Sequence, residues 1–472
     1  MPEVRVLYRP LDKLVASHYT WYGKPICILW LALFNMKILG IETSCDETAV
    51  CIMEATGSLE QPSFKILGDA LFSQAKMHEE FGGVFPMLAK REHTKNIGPL
   101  LVKALKDAGL YIELPPLLGK EGTEGWSSTL PPRPSGTPPF KGGDELLKKL
   151  QKLLERDLGL FEVVKDIIES IEKPNIDHIA VTAGPGLEPA LWVGINFAQA
   201  LGEAWGIPVL ATNHMEGHIV SPLLSNTPAY GHPSSSEEGK MRVVFPALAL
   251  LISGGHTELV LINNWLEYKV IGRTRDDAVG EAFDKVARLL SLPYPGGPEI
   301  SKLAEEARNE APYLGKEGVP QAGVVKLPRP MIHTKDYDFS FSGIKTAVLY
   351  ALKGHPSASG HSLQREITPE VKKEFALEFE NAVTEVLITK TKKALEEFNI
   401  KTLILGGGVV ANTHIRKEFK KLTEEYGGVQ LLVPAIKDST DNAVMIAAAG
   451  YLHIISGAAP SEHIKAQGNL SF

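Results

Sequence analysis

Cysteine is scarce in this sequence. Three occur in 472 residues, Cys27, Cys45 and Cys51. Neither their number nor their spacing makes a disulfide framework or a set of metal ligands, and a reducing compartment fits best. Positive charge is also wanting. The formal net charge is -7, so the field of the whole molecule does not draw nucleic acid, and an RNA substrate has to be met by local patches or a partner. Long apolar runs are lacking too. The run in the first 35 residues, ICILWLALF at 26–34, falls short of the about 20 residues that span a bilayer, so no membrane role is expected. Arg5, Arg9 and Lys13 precede it as in a signal peptide, but no small-residue cleavage site follows. Residues 1–35 are therefore read as an extension outside the fold, with Met36 as the effective start.

What is present is ordinary for a globular chain. A composition of 44% hydrophobic and 22% charged residues over this length suits two domains. KILGIETSCDETAVCIM (37–53) reads as strand, polar turn, strand, and LALLISGGHTELVLI (248–262) repeats the figure. HIAVTAGPGL (178–187) and TLILGGGVVAN (402–412) each read as strand, glycine turn, helix. The same order recurs after about 210 to 220 residues, which implies a duplicated α/β fold of two lobes. The first lobe is expected over 36–243 and the second over 244–472, the last helices packing back toward the first lobe. An insertion at about 111–173 interrupts the first. Its EGTEGWSSTLPPRPSGTPPFKGGDE (121–145) reads as a surface loop. The following ELLKKLQKLLERDLGLFEVVKDIIESIE (145–172) has helical apolar spacing. We expect this insertion to pack lightly on the body, in preference to forming a docking surface.

Four features carry chemistry. The glycine turns at 184–186 and 406–408 each precede a helix, where free amides and the helix dipole favour anions, although glycine serves tight packing as often. Ser253, Gly254 and Gly255 in SGGHT would let backbone approach a phosphate. Paired turns in a duplicated fold suggest a nucleotide held between the lobes. Asp284 in DDAVGEAFDKVARLL stands four residues before Arg288, which fits a surface ion pair; the alternative is a carboxylate accepting ribose hydroxyls, with Gly297 in YPGGPEI letting sugar or base pass close to backbone.

The fourth feature is ATNHMEGHIV (211–220). His214 and His218 at i, i+4 share a helix face, the spacing that two imidazoles need to grip one metal, though such pairs are more often structural. A zinc protease would need Glu directly after the first His. Met215 holds that place, and Glu216 is turned about 100° further round the helix. A third ligand is sought elsewhere, with Asp441 in KDSTDNAVMIAAAGY as the candidate; Asp441 or Thr440 as a plain helix cap is the competing reading. Two His and a carboxylate suit Fe(II) and Zn(II) about equally.

Together these residues resemble the tRNA N6-adenosine threonylcarbamoyltransferase family, the TsaD proteins. The resemblance runs through GIETSCDET, SQAKMHEEFGGVFP, TAGPGL, NHMEGH, LLISGGHTELV, DDAVGEAFDKVARLL, YPGGP, DFSFSGIKTA, GGGVVAN and STDNAVMIA. It implies an actin-like fold of the sugar-kinase and Hsp70 type, with a nucleotide cleft between its lobes. It also implies transfer of threonylcarbamoyl from threonylcarbamoyl-AMP to N6 of the adenosine 3′ of the anticodon, in tRNAs reading codons that begin with A, with release of AMP. The implied metal ligands are His214, His218 and Asp441, with Fe(II) favoured and Zn(II) the alternative. The implied contacts to the adenylate are Leu251, Ile252, Ser253, Gly254, Gly255, Asp284, Gly297, Ser301 and Asn412, and no residue is assigned as catalytic. The implied partners are tRNA, a TsaB-like paralogue and a TsaE-like P-loop ATPase, in the cytoplasm.

The chain departs from the family in places. Ser301 stands where many members have Asp. Pro189 is similar to archaeal and eukaryotic relatives, whereas Leu251 and His256 look bacterial, and the end of the chain lacks the basic, aromatic tail of many bacterial members. Three rival readings are a metalloendopeptidase, a non-catalytic actin-like partner and a small-molecule kinase of the same fold. The HMEGH order argues against the first, the two His with Asp441 against the second, and the threonylcarbamoyl motifs against the third.

Overall fold

The computed structural model describes residues 35–114, 143–224, 242–314, 325–353, 366–461 and 463–472, plus a small antiparallel pair of Thr20–Trp21 with Lys24–Pro25. The expectations for the rest of 1–35 and for the loop at 115–142 lie outside the described residues.

The first half builds one five-stranded sheet. Strands β1 (Met36–Glu42), β2 (Glu47–Gly57) and β3 (Pro62–Ser73) form an antiparallel meander, and β4 (His178–Gly184) and β5 (Val209–Asn213) add parallel strands, giving the order β3-β2-β1-β4-β5. The second half repeats this. Strands β6 (Ala247–Ile252), β7 (Thr257–Asn264), β8 (Glu267–Arg273), β9 (Thr402–Gly406) and β10 (Gln430–Leu432) take the order β8-β7-β6-β9-β10 with the same directions. The apolar runs seen in the sequence are the central strands β1 and β6. They are covered on both faces, so nearly every position is buried. This is the duplicated actin-like α/β architecture.

In the first half, helices α1 (Pro86–Asp107), α2 (Gly143–Leu153), α3 (Leu158–Ser170) and α4 (Glu188–Trp205) share one core. Leu150, Leu154, Leu160 and Val164 are essentially inaccessible to solvent. Gly98 of α1 sits so close to α3 that a Cβ there would lie 2.7 Å from Val163 Cγ1. Light packing of the insertion is thus overturned for its two helices. Leu150, Leu160, Val164, Ile167 and Ile168 of these helices are buried while Leu153 and Leu158 stay exposed, and each buried leucine or isoleucine contributes on the order of 2 kcal/mol.

The short helix α5 (His214–Val220) follows β5 directly. The second half adds α6 (Val279–Leu289), α7 (Gly296–Leu314), α8 (Ser342–Lys353), α9 (Pro369–Glu397), α10 (Thr413–Glu425) and α11 (Ala443–Ile455). Helix α11 is apolar almost all round and lies with α5 in a core that takes side chains from both sheets. It packs on β1, where Gly40 is required because a Cβ would lie 2.3 Å from the Ala443 carbonyl oxygen. The floor of the cleft is therefore made of α5 and the segment that leads into α11.

Candidate active site

Asn213 ends β5 and caps α5, its Oδ1 accepting from the Met215 amide at 2.8 Å. His214 is thereby the first residue of α5 and His218 the next turn on the same face. Their rings meet edge to face with centroids 4.7 Å apart. Asp441 reaches both from the other end of the chain, with Oδ1 3.3 Å from His214 Nε2 and 3.2 Å from His218 Nε2. Asp441 and Thr440 do not cap α11. Asn442 does so by accepting from the Met445 amide at 2.9 Å, and the Asp441 carboxylate is left to face the imidazoles.

One further residue belongs here that sequence reasoning missed. Glu42, the last residue of β1, is fully buried and its Oε2 lies 2.9 Å from His214 Nδ1. The same oxygen accepts from Thr182 Oγ1 at 2.7 Å, and Oε1 accepts from the Ser44 amide at 2.5 Å. Nδ1–H of His214 donates to this carboxylate, which leaves Nε2 free to bind a ligand. The signal was an acid ending an otherwise apolar, doubly covered strand.

The charges in the cluster are strongly coupled. Burial pushes the His214 imidazole down, but Asp441 and Glu42 outweigh it and hold its pKa well above the usual range. Burial raises Asp441, but the two imidazoles outweigh that and drive it below the ordinary carboxylate range. His218 is lowered, chiefly by burial. Its Nδ1 has no hydrogen-bond partner, and its Nε2 faces Asp441 alone. The ligand atoms of His214, His218 and Asp441 all lie within 4.8 Å of one another. Two imidazoles and a carboxylate, one of the imidazoles unsatisfied, fit a divalent cation.

Glu216 does not join this cluster. It is buried against α11 with Oε2 2.7 Å from His453 Nε2, so it braces α5 to the helix that follows Asp441.

The residues expected to contact an adenylate form a closed circuit beside the triad. A Cβ on Gly406 would lie 2.7 Å from the His218 carbonyl oxygen, and one on Gly407 would lie 2.4 Å from that of Ile252. Leu251 and Ile252 end β6, and Ser253 to Gly255 form the turn after it. Gly280 of α6 packs on this turn, its amide donating to the Ser253 carbonyl oxygen at 3.2 Å, where a Cβ would lie 2.7 Å from that oxygen. Further along α6, Asp284 accepts from the Gly296 amide at 2.8 Å, next to Gly297 at the start of α7. One turn on, the Ser301 hydroxyl accepts from Asn412 Nδ2 at 2.6 Å, and Asn412 closes the circuit at the Gly408–Ala411 turn. Gly254, Gly255, Gly297 and Gly408 face open space, where a Cβ would meet nothing within 4 Å. Asn412 is fully occupied. Its Nδ2 also donates to Glu380 Oε1 at 2.6 Å, and its Oδ1 caps α10.

Two sequence readings change. The duplicated glycine turns are not equivalent, because at 184–186 the Gly186 amide donates to the Gly468 carbonyl and the Leu187 amide to that of Ser44. The C-terminal segment closes that turn, and only the turn at 406–408 stays open. Arg288 does not pair with Asp284 but donates to the Gly82 carbonyl across the cleft. Burial raises the Asp284 carboxyl, and the Gly296 amide opposes this.

The sequence model of tRNA N6-adenosine threonylcarbamoyltransferase, TsaD, matches residues 65–114 and 159–448. The chain belongs to this family. The gap in the match coincides with the insertion carrying α2. The transferase of that name from Persephonella marina is 37% identical over 421 residues, 88% of this chain and 90% of its own length. The one from Bacillus subtilis is 36% identical over 423 residues, 90% of this chain and 92% of its own. A solved structure of full-length HypF, in a phosphate- and nucleotide-bound form, matches with a TM-score of 0.43 at 11% identity, over 91% of this chain and 57% of that one. Membership of this family implies a divalent metal, and the His214, His218 and Asp441 donors are compatible with one. Among the described residues no helix is long and apolar enough to cross a membrane.

Proposed function

We propose that this tRNA N6-adenosine threonylcarbamoyltransferase takes its acyl group from threonylcarbamoyl-AMP and delivers it to the adenosine 3′ of the anticodon in tRNAs reading codons that begin with A. The observation that carries this reading is the seating of the open glycine circuit on the metal-type triad, Gly406 lying directly against the His218 backbone. An acyl phosphate held by the first would present its carbonyl carbon toward the second. In the reaction N6 of the adenine bonds to that carbon, the bond from carbon to the phosphate oxygen breaks with its electrons going to AMP, and N6 loses a proton.

The chain's residues divide the work. The open faces of Gly254, Gly255 and Gly408 admit the phosphate close to backbone amides. Asp284, with one oxygen held by Gly296, offers the other to ribose hydroxyls, and Gly297 lets the sugar pass. Leu251 and Ile252 carry the phosphate turn, while Asn412 orients Ser301 and contributes through it. A divalent metal on His214, His218 and Asp441, Fe(II) favoured over Zn(II), would supply Lewis-acid charge. Glu42 keeps His214 in the tautomer that such binding requires.

The lobes are taken as 36–243, with the insertion at about 111–173, and 244–472, a division supported by the sheet that each contains. A TsaB-like paralogue and a TsaE-like ATPase are the proposed partners, since a net charge of -7 calls for help in holding tRNA, and the cytoplasm is the proposed location. The test incubates the chain with threonylcarbamoyl-AMP and unmodified tRNA, with and without such partners. Modified nucleoside and AMP should appear one for one; cleavage of a glycoprotein with no nucleoside product would favour the peptidase reading instead.

A further inference from the structure

A cavity opens at the mouth of the cleft beside the adenylate circuit, and Phe81 and Tyr294 in its lining have no part in the circuit described so far. It measures about 480 Å³ and lies between the turn at 79–82 of the first half and α6, Tyr294 and Gly296 of the second. This is within the roughly 300–1,000 Å³ of small-molecule sites. Asp284 and Gly296 belong both to this cavity and to the adenylate circuit, so the cavity adjoins the proposed adenylate site along that wall.

Its lining is unusual for a surface recess. Phe81 is 58% exposed at the lip and is backed by Phe85, with ring centroids 5.6 Å apart and planes 23° from parallel. Phe81 thus packs on Phe85 and still leaves more than half of its surface to solvent. Gly82, left-handed at φ 62°, lets the Arg288 guanidinium lie across the turn and bridge the two halves. Opposite stands Tyr294, whose phenol is pushed up by burial and then by Asp46, Asp284, Cys45 and Glu47, and therefore remains a hydrogen-bond donor. Glu79 and Glu80 complete the rim.

We propose that this cavity receives the acceptor adenine base of the tRNA, swung out of its loop and laid on Phe81. The inference rests on the proposed function. An aromatic face at the lip supplies stacking, which every extruded base can use. Carboxylates at the rim complement an exocyclic amine and repel phosphates, so a single base is admitted while the RNA backbone is kept outside. The shared wall at Asp284 brings the base alongside the adenylate whose carbonyl it must reach. Sequence-specific RNA readers work on unstacked loop bases in this way.

The test uses the full chain with its partners and an anticodon stem-loop carrying 2-aminopurine at the acceptor position, a base that stacks but lacks the N6 amine. Wild type should quench its fluorescence on binding. Phe81→Ala should abolish the quench and weaken stem-loop binding about tenfold, Phe81→Trp should retain both, and the affinity for AMP should be the same in all three. Because Phe81 is mostly exposed, the alanine variant keeps its fold. Stem-loop affinity and quench unchanged in Phe81→Ala would overturn the proposal, as would an equal loss of AMP affinity, which would give the cavity to the adenylate. If wild type makes no modified nucleoside from tRNA, the functional reading itself fails; if it does and Phe81→Ala matches it at limiting tRNA, only the base cavity fails.

Discussion

Replacing Glu42 by Gln changes one oxygen to an NH2 group with almost no change in volume, and the consequences can be worked from its three contacts. The carboxylate is fully buried and accepts from His214 Nδ1, Thr182 Oγ1 and the Ser44 amide. In the variant the amide oxygen can serve Ser44, which puts the NH2 group against Thr182 and Nδ1 of His214. Two N–H groups cannot face each other, so the neutral imidazole of His214 carries its proton on Nε2, the atom that points at Asp441. Metal binding then requires that proton to be displaced. Substitutions of such outer carboxylates cost about 10–100-fold in metal affinity, or roughly 1.4–2.8 kcal/mol. The assay is competition for Zn(II) or Fe(II) against a chelating dye at pH 7, with thermal unfolding as a control for the fold. Affinity within twofold of wild type in a folded variant would refute the argument that Glu42 sets the tautomer of His214.

Other outcomes follow from single contacts. His93 is fully buried, accepts from Thr48 and donates to the Cys45 carbonyl, and burial lowers its pKa from 6.5 to about 4. The unfolded chain binds the proton first as pH falls, so this histidine's stabilising share is complete above about pH 6.5 and is lost toward pH 4, up to about 3 kcal/mol. Urea unfolding at pH 7.5 and 4.5 should show a smaller acid loss in His93→Gln than in wild type. Glu216→Ala leaves His453 unpaired and should lower stability by about 1–3 kcal/mol, with a larger effect on kcat than on KM for the adenylate; unchanged kinetics and unfolding would dismiss the brace. Gly407 has φ 94° and no room for a Cβ beside Ile252, so Gly407→Ala should cost on the order of 3 kcal/mol, read as a fall in the unfolding midpoint.

The duplication was legible because its markers are local. Strands β1 and β6 are covered on both faces and so read as apolar runs, and each half has a glycine turn between strand and helix. The metal-type triad was legible in part through the i, i+4 histidines, while Asp441 drew on family resemblance because a cap and a ligand look alike in sequence. Glu42 was hidden because its partners Thr182 and His214 lie 140 and 172 residues away. The closing of the first glycine turn by Gly468 was hidden for the same reason. Helical spacing in the insertion showed an apolar stripe but not that α1 and α4 stand ready to bury it, and the small residue receiving α3, Gly98, marks the crossing only once both helices are in place.

The proposed role of His214, His218 and Asp441 is threonylcarbamoyl transfer to tRNA. Its most direct test is mass analysis of nucleosides from tRNA incubated with threonylcarbamoyl-AMP and metal-loaded wild type or His214→Ala, each with the partner proteins. Threonylcarbamoyladenosine is expected from wild type and at least a hundredfold less, roughly 3 kcal/mol of transition-state stabilisation, from the variant. Equal yields from the two proteins, or none from wild type, would contradict it.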